Sequence, residues 1–182
     1  MQCERLRLFF ALDCPSGLAS AISHWRDGLH LPGRPVATDN LHLTLAFLGS
    51  QPLTRLAELR QVAASLHLPG FVLHLDRLQQ RRNGLLYLAP SQPPEALLTL
   101  ADSLQQALRE LGIALDERAF HAHLTLMRRC PRRPAAAAPS FTWTVDHFCL
   151  FASQQASQGI NYHRLQQWPL LPQAHAAESD AS

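Results

Sequence analysis

Lysine is missing from this chain: all sixteen basic residues are arginine. Set against fourteen acidic residues they leave a formal net charge of +2, too small to mark a protein that binds polyanions by bulk charge. The planar guanidinium fork suits phosphate, although a GC-rich genome leaves the same bias. Cysteine is scarce. Cys3, Cys14, Cys130 and Cys149 form no CxxC and have no zinc-like spacing, so reduced thiols of a cytoplasmic protein are expected. The longest early apolar run, residues 6–12, is too short for a signal core or an anchor, so no membrane association is expected. No glycine-rich phosphate loop or dinucleotide fingerprint occurs, and no cofactor is expected. Charged residues reach 16% and hydrophobic ones 47%, which excludes a disordered chain. With 182 residues a core can form without staples, as one domain or as two closely packed lobes.

What is present alternates between strand and helix patterns. Residues 5–13 form an apolar strand stopped by Pro15. A helix follows to residue 30, with Leu18, Ile22 and Trp25 on one stripe. Residues 41–48 alternate as a strand, and 53–66 suit a helix. Residues 71–78 and 85–88 suggest strands joined across Asn83-Gly84, a turn signal. Residues 93–111 are helical, 122–127 strand-like, and 141–151 and 160–168 are further strands. The expected class is α/β or α+β, with residues 173–182 as a tail.

One word occurs twice. Residues 41–45 read LHLTL and residues 122–126 read AHLTL, eighty-one positions apart, each after a helical segment. Side chains alternate across a strand. His42 and Thr44 therefore share a face, with Leu41, Leu43, Leu45 and Phe47 turned to the core. His123 and Thr125 share a face likewise, with Leu124 and Leu126 opposite. A duplicated lobe would set the copies symmetrically across one cleft. Phosphodiester hydrolysis needs a base to take a proton from water and an acid to protonate the leaving oxygen, and histidine serves as either near neutral pH. Threonine hydroxyls would hold the non-bridging oxygens as charge builds. No metal is required by this chemistry.

These residues resemble the two-histidine phosphoesterase superfamily, defined by paired H-x-[ST]-x motifs. Within it the chain looks most like the bacterial RNA 2′,3′-cyclic phosphodiesterases, also called 2′-5′ RNA ligases. The resemblance covers residues 8–13 (LFFALD), 33–49 (GRPVATDNLHLTLAFLG) and 120–128 (FHAHLTLMR), and extends to Tyr162 and Trp168. It implies an α+β fold with residues 1–172 as one bilobal domain: two antiparallel sheets around a central cleft, helices outside and a pseudo-twofold relation between lobes. It implies metal-independent hydrolysis of RNA ends or nucleotides bearing a 2′,3′-cyclic phosphate to a 2′-phosphate, and in some members the joining of 2′-5′ linkages in tRNA halves. A monomer is expected. The implied site residues are His42 and His123 as acid and base, with Thr44, Thr125 and Arg128 holding phosphate. Small cyclic nucleotides as substrates, or a binding module without turnover, are the rival readings. Strict alternation turns Arg128 away from His123 unless the strand ends or bulges first, which leaves Arg129 as a competitor.

Other features stay open. His121 shares the face of His123, as a structural histidine or, with His42, a metal ligand. Phe9 and Phe10 point opposite ways, to pack in the core or stack on a base. The arginines at 81–82 and at 128–133 would track an RNA backbone or line solvated loops.

Overall fold

The computed structural model describes residues 4–173 apart from 133, 136 and 158. Cys3, Arg133, His175 and the tail from residue 174 lie outside the described residues. In chain order the strands are β1 (Arg5–Asp13), β2 (Arg34–Pro35), β3 (His42–Pro52), β4 (Phe71–Leu75), β5 (Arg77–Gln80), β6 (Leu86–Ala89), β7 (Leu124–Arg128), β8 (Phe141–Val145), β9 (His147–Ala156) and β10 (Gly159–Pro169). The helices are α1 (Ser16–Asp27), α2 (Leu56–Ala64) and α3 (Glu95–Glu110).

Local sequence accounts for the helices. Pro15 and Pro94 stand in extended conformation just ahead of α1 and α3, where a missing N–H costs nothing. Leu97, Leu100, Ala101, Leu104 and Leu108 form the buried stripe of α3 at helical spacing. Gly112, at φ +77°, closes α3 in the left-handed region, and Ile113 N–H reaches back to Leu108 O at 3.0 Å.

The strands form two antiparallel sheets, as an α+β fold requires. The large one runs β10-β9-β1-β3-β7-β6-β5, with β2 alongside β7, and the small one is β4-β8. The two halves are not separate sheets. β3 and β7 join them through a single pair, Leu43–Leu124. On either side of that seam the connections match: β1-α1-β3 on one side, β6-α3-β7 on the other, each with an antiparallel neighbour beyond, β9 or β5. The seam pair lies at equivalent places in the repeat, and that is the signature of a pseudo-twofold axis through it.

One sheet face is the core. Leu8, Phe10, Leu12, Leu43, Leu45, Leu86, Leu88, Leu124 and Leu126 lie there, packed with the apolar stripes of the helices. Leu43 and Leu124 are fully buried, and truncating either to alanine would cost about 2–5 kcal/mol. The opposite face carries a second small cluster of Phe9, Ala11, Cys149 and Phe151, with Tyr162 against it. Phe10 thus meets the expectation of core packing, while Phe9 is buried on the other face.

Two expected strands are each broken in two. Residues 71–78 divide at Asp76, whose carboxylate accepts the Ser91 N–H at 2.6 Å; β4 joins the small sheet and β5 the large one. Residues 141–151 divide at Asp146 in the same way, into β8 and β9. Each break falls at the one acidic residue of its segment, which an exposed strand position would also tolerate, so the segment does not reveal that its chain changes sheets. Cys14, Cys130 and Cys149 are unpaired and buried, and burial pushes the Cys14 and Cys149 thiols up to about 12. None of the helices among the described residues is long and apolar enough to cross a membrane.

Candidate active site

The two HLTL words lie on the two strands that meet at the seam. Counting outward from Leu43–Leu124 in antiparallel register sets His42 across from Thr125 and Thr44 across from His123. The surface hollows agree. His42 lines one end of the groove together with Thr125 and Arg128, in a hollow of about 280 Å³. His123 lines the other end together with Thr44 and Phe47, in a hollow of about 490 Å³. Each hydroxyl therefore shares a hollow with the other motif's histidine. His42 and His123 are diagonal neighbours across the seam, a relation that spans about 7–8 Å in such ladders.

Both imidazoles are oriented by the same bond. His42 Nδ1 donates to Asn40 O at 2.7 Å, and His123 Nδ1 donates to His121 O at 2.7 Å. A carbonyl only accepts, so each neutral ring carries its proton on Nδ1 and leaves Nε2 as its acceptor. The acceptor is two residues earlier in both cases, a consequence of repeated backbone geometry that the side-chain pattern does not announce. His42 Nε2 also meets Thr44 Oγ1 at 3.0 Å; among the described residues His123 has no matching bond to Thr125.

Alternation fails at an equivalent step in both strands, with a large effect; β3 slips a second time further on, at Leu48. Between Tyr87–Thr125 and Leu86–Met127 the register slips by one residue, so Leu126 is an extra residue in β7. Between Ala11–Thr44 and Phe10–Ala46 it slips likewise, with Leu45 the extra residue in β3. These bulges are equivalent in the repeat. Each leaves two consecutive residues buried, Leu45-Ala46 and Leu126-Met127, and turns the following residue onto the histidine face. In β7 that residue is Arg128, which shares the hollow of His42 and Thr125. Arg129 instead has φ +54° and lines a different cavity beside residues 80–84. In β3 the residue is Phe47. Strict alternation assigned it to the core; the bulge leaves it 44% exposed, with the Arg7 guanidinium 4.7 Å from its ring centre.

The bulges are held by crossed supports. Arg26 of α1, 4% exposed, points its Nη1 at Val36 O at 2.5 Å and at Leu126 O at 3.5 Å, in the other half. Gln105 of α3 donates from Nε2 to Leu45 O at 2.9 Å, again in the other half. Leu126 O also accepts the Val36 N–H at 2.9 Å, so Arg26 ties together β2 and the bulge that β2 already pairs with.

The two imidazoles have different neighbours. His42 packs against Phe9 at 5.0 Å and Tyr162 at 5.1 Å between ring centres. His123 packs against Tyr87 at 5.4 Å and stacks on His121 at 5.8 Å. Burial is the main force lowering both imidazoles below the ordinary histidine value. The Asn40 carbonyl opposes it at His42, where His123 and Arg128 lower and the Asp13 carboxylate raises. At His123 the His121 carbonyl opposes it, and every remaining neighbour, Arg81, His121 and Arg128, lowers. His121, itself exposed, thus gives His123 both a carbonyl acceptor and a ring neighbour. Among the described residues one trio could supply metal ligands, Asp13, His147 and Cys149, and there Arg164 Nη1 already holds Asp13 at 2.9 Å.

The chain belongs to the 2′-5′ RNA ligase superfamily, whose family model matches residues 14–156. It is similar to the RNA 2′,3′-cyclic phosphodiesterase of Escherichia coli (strain K12), with 40% identity over 173 residues covering 92% of this chain and 98% of that protein. The protein of the same name from Thermus thermophilus is 28% identical over 190 residues, covering 91% of this chain and 90% of that protein. Among solved structures, E. coli LigT complexed with 3′-AMP matches with a TM-score of 0.86 at 39% identity, over 92% of this chain and 99% of that one.

Proposed function

We propose that this chain is a phosphodiesterase that opens the 2′,3′-cyclic phosphate at RNA ends and leaves a 2′-phosphate. The observation that carries the reading is the paired orientation: two Nε2 atoms, each set by an identical Nδ1 bond, face one groove that also holds Arg128. Phosphorus would sit over the seam. Water attacks it as the bond from phosphorus to O3′ breaks, His123 Nε2 takes the water proton, and His42 Nε2 gives its proton to O3′. Thr44, Thr125 and Arg128 take the charge that builds on the non-bridging oxygens.

The surroundings favour this division of roles. Burial lowers both imidazoles and Arg128 lowers both; the Asp13 carboxylate partly offsets this at His42, as an acid needs, and Arg81 adds to it at His123, as a base needs. The donor set favours metal-free chemistry. Of the residues lining the two hollows the one carboxylate is Asp116, and its ion pair with Arg118 engages it.

The test is incubation with 2′,3′-cyclic AMP and with an oligonucleotide ending in a cyclic phosphate, both in EDTA, with the product isomer identified. The expected product carries a 2′-phosphate in both cases. A 3′-phosphate would move the chain to different regiochemistry, turnover of the mononucleotide alone would favour a small-nucleotide enzyme, and tight binding without turnover would favour a binding module. Loss of activity in EDTA, restored by one metal, would overturn the metal-free mechanism.

A further inference from the structure

Two arginine groups far apart in sequence meet beside the groove. Arg81 and Arg82 lie in the turn between β5 and β6, and Arg129 follows β7. The loops are bonded to each other: Cys130 N–H donates to Gly84 O at 2.9 Å, and Gln80 Nε2 donates to Cys130 O at 2.6 Å. The approach is close enough that a Cβ on Gly84, itself at φ +81°, would stand 3.1 Å from Cys130 O and 3.3 Å from Arg129 Cα. Arg129 takes a left-handed backbone at φ +54°, uncommon for a non-glycine residue, which turns it away from the line of β7.

The result is a cavity of about 420 Å³ lined by Arg81, Arg82, Arg129, Asn83 and Gln80, with no carboxylate in its wall. Among the described residues Arg26, Arg55, Arg118 and Arg164 each pair with an acid and the other arginines do not; what sets Arg81, Arg82 and Arg129 apart is that all three unpaired guanidiniums line one hollow. In a chain with nearly balanced charge, three such guanidiniums around one hollow form an anion site rather than an average surface. The hollow also connects to the chemistry. Arg81 lines both this cavity and the His123 end of the groove, with its guanidinium 5.7 Å from the Tyr87 ring centre.

We infer that this cavity binds the phosphate backbone of the RNA upstream of the reacting end, with Arg81 as the bridge and Arg82 and Arg129 on the phosphates beyond. The inference rests on the function proposed above and adds to it a preference for oligonucleotide ends over single cyclic nucleotides. Guanidinium contacts to phosphate carry no base information, so the preference is independent of sequence.

The experiment compares 2′,3′-cyclic AMP with a five-nucleotide RNA ending in a 2′,3′-cyclic phosphate, on the wild type and on Arg82→Glu/Arg129→Asn. Asparagine tolerates the left-handed backbone at 129. The wild type should favour the oligonucleotide in kcat/KM. The variant should lose at least about tenfold on it, with a slope of log kcat/KM against log salt shallower by about 0.7 for each phosphate contact removed. Its rate on 2′,3′-cyclic AMP should stay within about twofold, which also reports that it folds. Equal wild-type kcat/KM on both substrates, an unchanged substrate ratio and salt slope in the variant, or parallel losses on both substrates would overturn the inference. Absence of turnover of either substrate by the wild type would overturn the underlying function, and this inference with it.

Discussion

The two halves of the groove have one backbone and two chemistries. Residues 41–47 and 122–128 follow the same order of burial, with the same histidine orientation, the same bulge and a donor from the opposite helix on the bulged carbonyl. They differ at the position the bulge exposes: Phe47 in one, Arg128 in the other. They differ also in what flanks each imidazole, with Asp13 acting on His42 and Arg81 on His123. A duplicated frame delivers two equivalently oriented imidazoles, and a few neighbours that do not repeat give them different electrostatic surroundings.

The strongest way to break the comparison is to remove an imidazole. His42→Ala and His123→Ala should each cost roughly 10²–10⁴ in kcat, and the double variant less than the product of the two, because acid and base act in one step. An activated leaving group needs no acid, so it should rescue His42→Ala and leave His123→Ala slow. Rescue of His123→Ala instead would reverse the assignment. The bulge positions should respond unequally. Arg128→Ala should lower kcat by roughly 10²–10³, the usual loss for a donor aimed at developing charge, whereas Phe47→Ala should act mainly on KM. Similar effects on both constants would show the halves to be functionally alike.

The supports come next. Arg26→Met removes a charged donor from the β7 bulge and should cost about 1.5–3 kcal/mol in unfolding free energy, with a fall in kcat as Arg128 loses its aim. Gln105→Leu removes a neutral donor from the β3 bulge and should cost about 0.5–1.5 kcal/mol with little change in kcat. Chemical denaturation and steady-state kinetics would check both. The smallest effect concerns pH. Both imidazoles are lowered, so the bell-shaped kcat/KM profile should peak on the acid side of the ordinary histidine value of about 6.5. Asp13 favours protonated His42, so Asp13→Asn should move the alkaline limb, set by loss of the acid's proton, to lower pH. The acid limb should hold its place. Movement of the acid limb alone would assign the acid to the other histidine.

The repeat was plain in the sequence because its information is local: four identical letters, alternating apolar residues and a preceding helix. The bulges were hidden because a bulge is a relation between two strands. Their one local trace is the pair of consecutive apolar residues, Leu45-Ala46 and Leu126-Met127, which breaks alternation at the same step of both copies. Strict parity carried past that step turned Phe47 inward, and for Arg128 it left open a question that the slip in β7 answers. The breaks at Asp76 and Asp146 were hidden for a related reason, since a strand that changes partners keeps its apolar character.

By itself the sequence determined the class of fold, the two histidines and the hydroxyl that shares a face with each, because a period of two and a repeated word are properties of the chain alone. Only the tertiary structure decided that each hydroxyl also shares a hollow with the other motif's histidine, that Nε2 rather than Nδ1 faces the groove, and that Arg128 rather than Arg129 joins it. Those facts depend on which strand lies opposite, on where its register slips and on which carbonyl lies within reach of a ring. Each is set by contacts between residues far apart in the chain, for which a strand's own letters carry no mark.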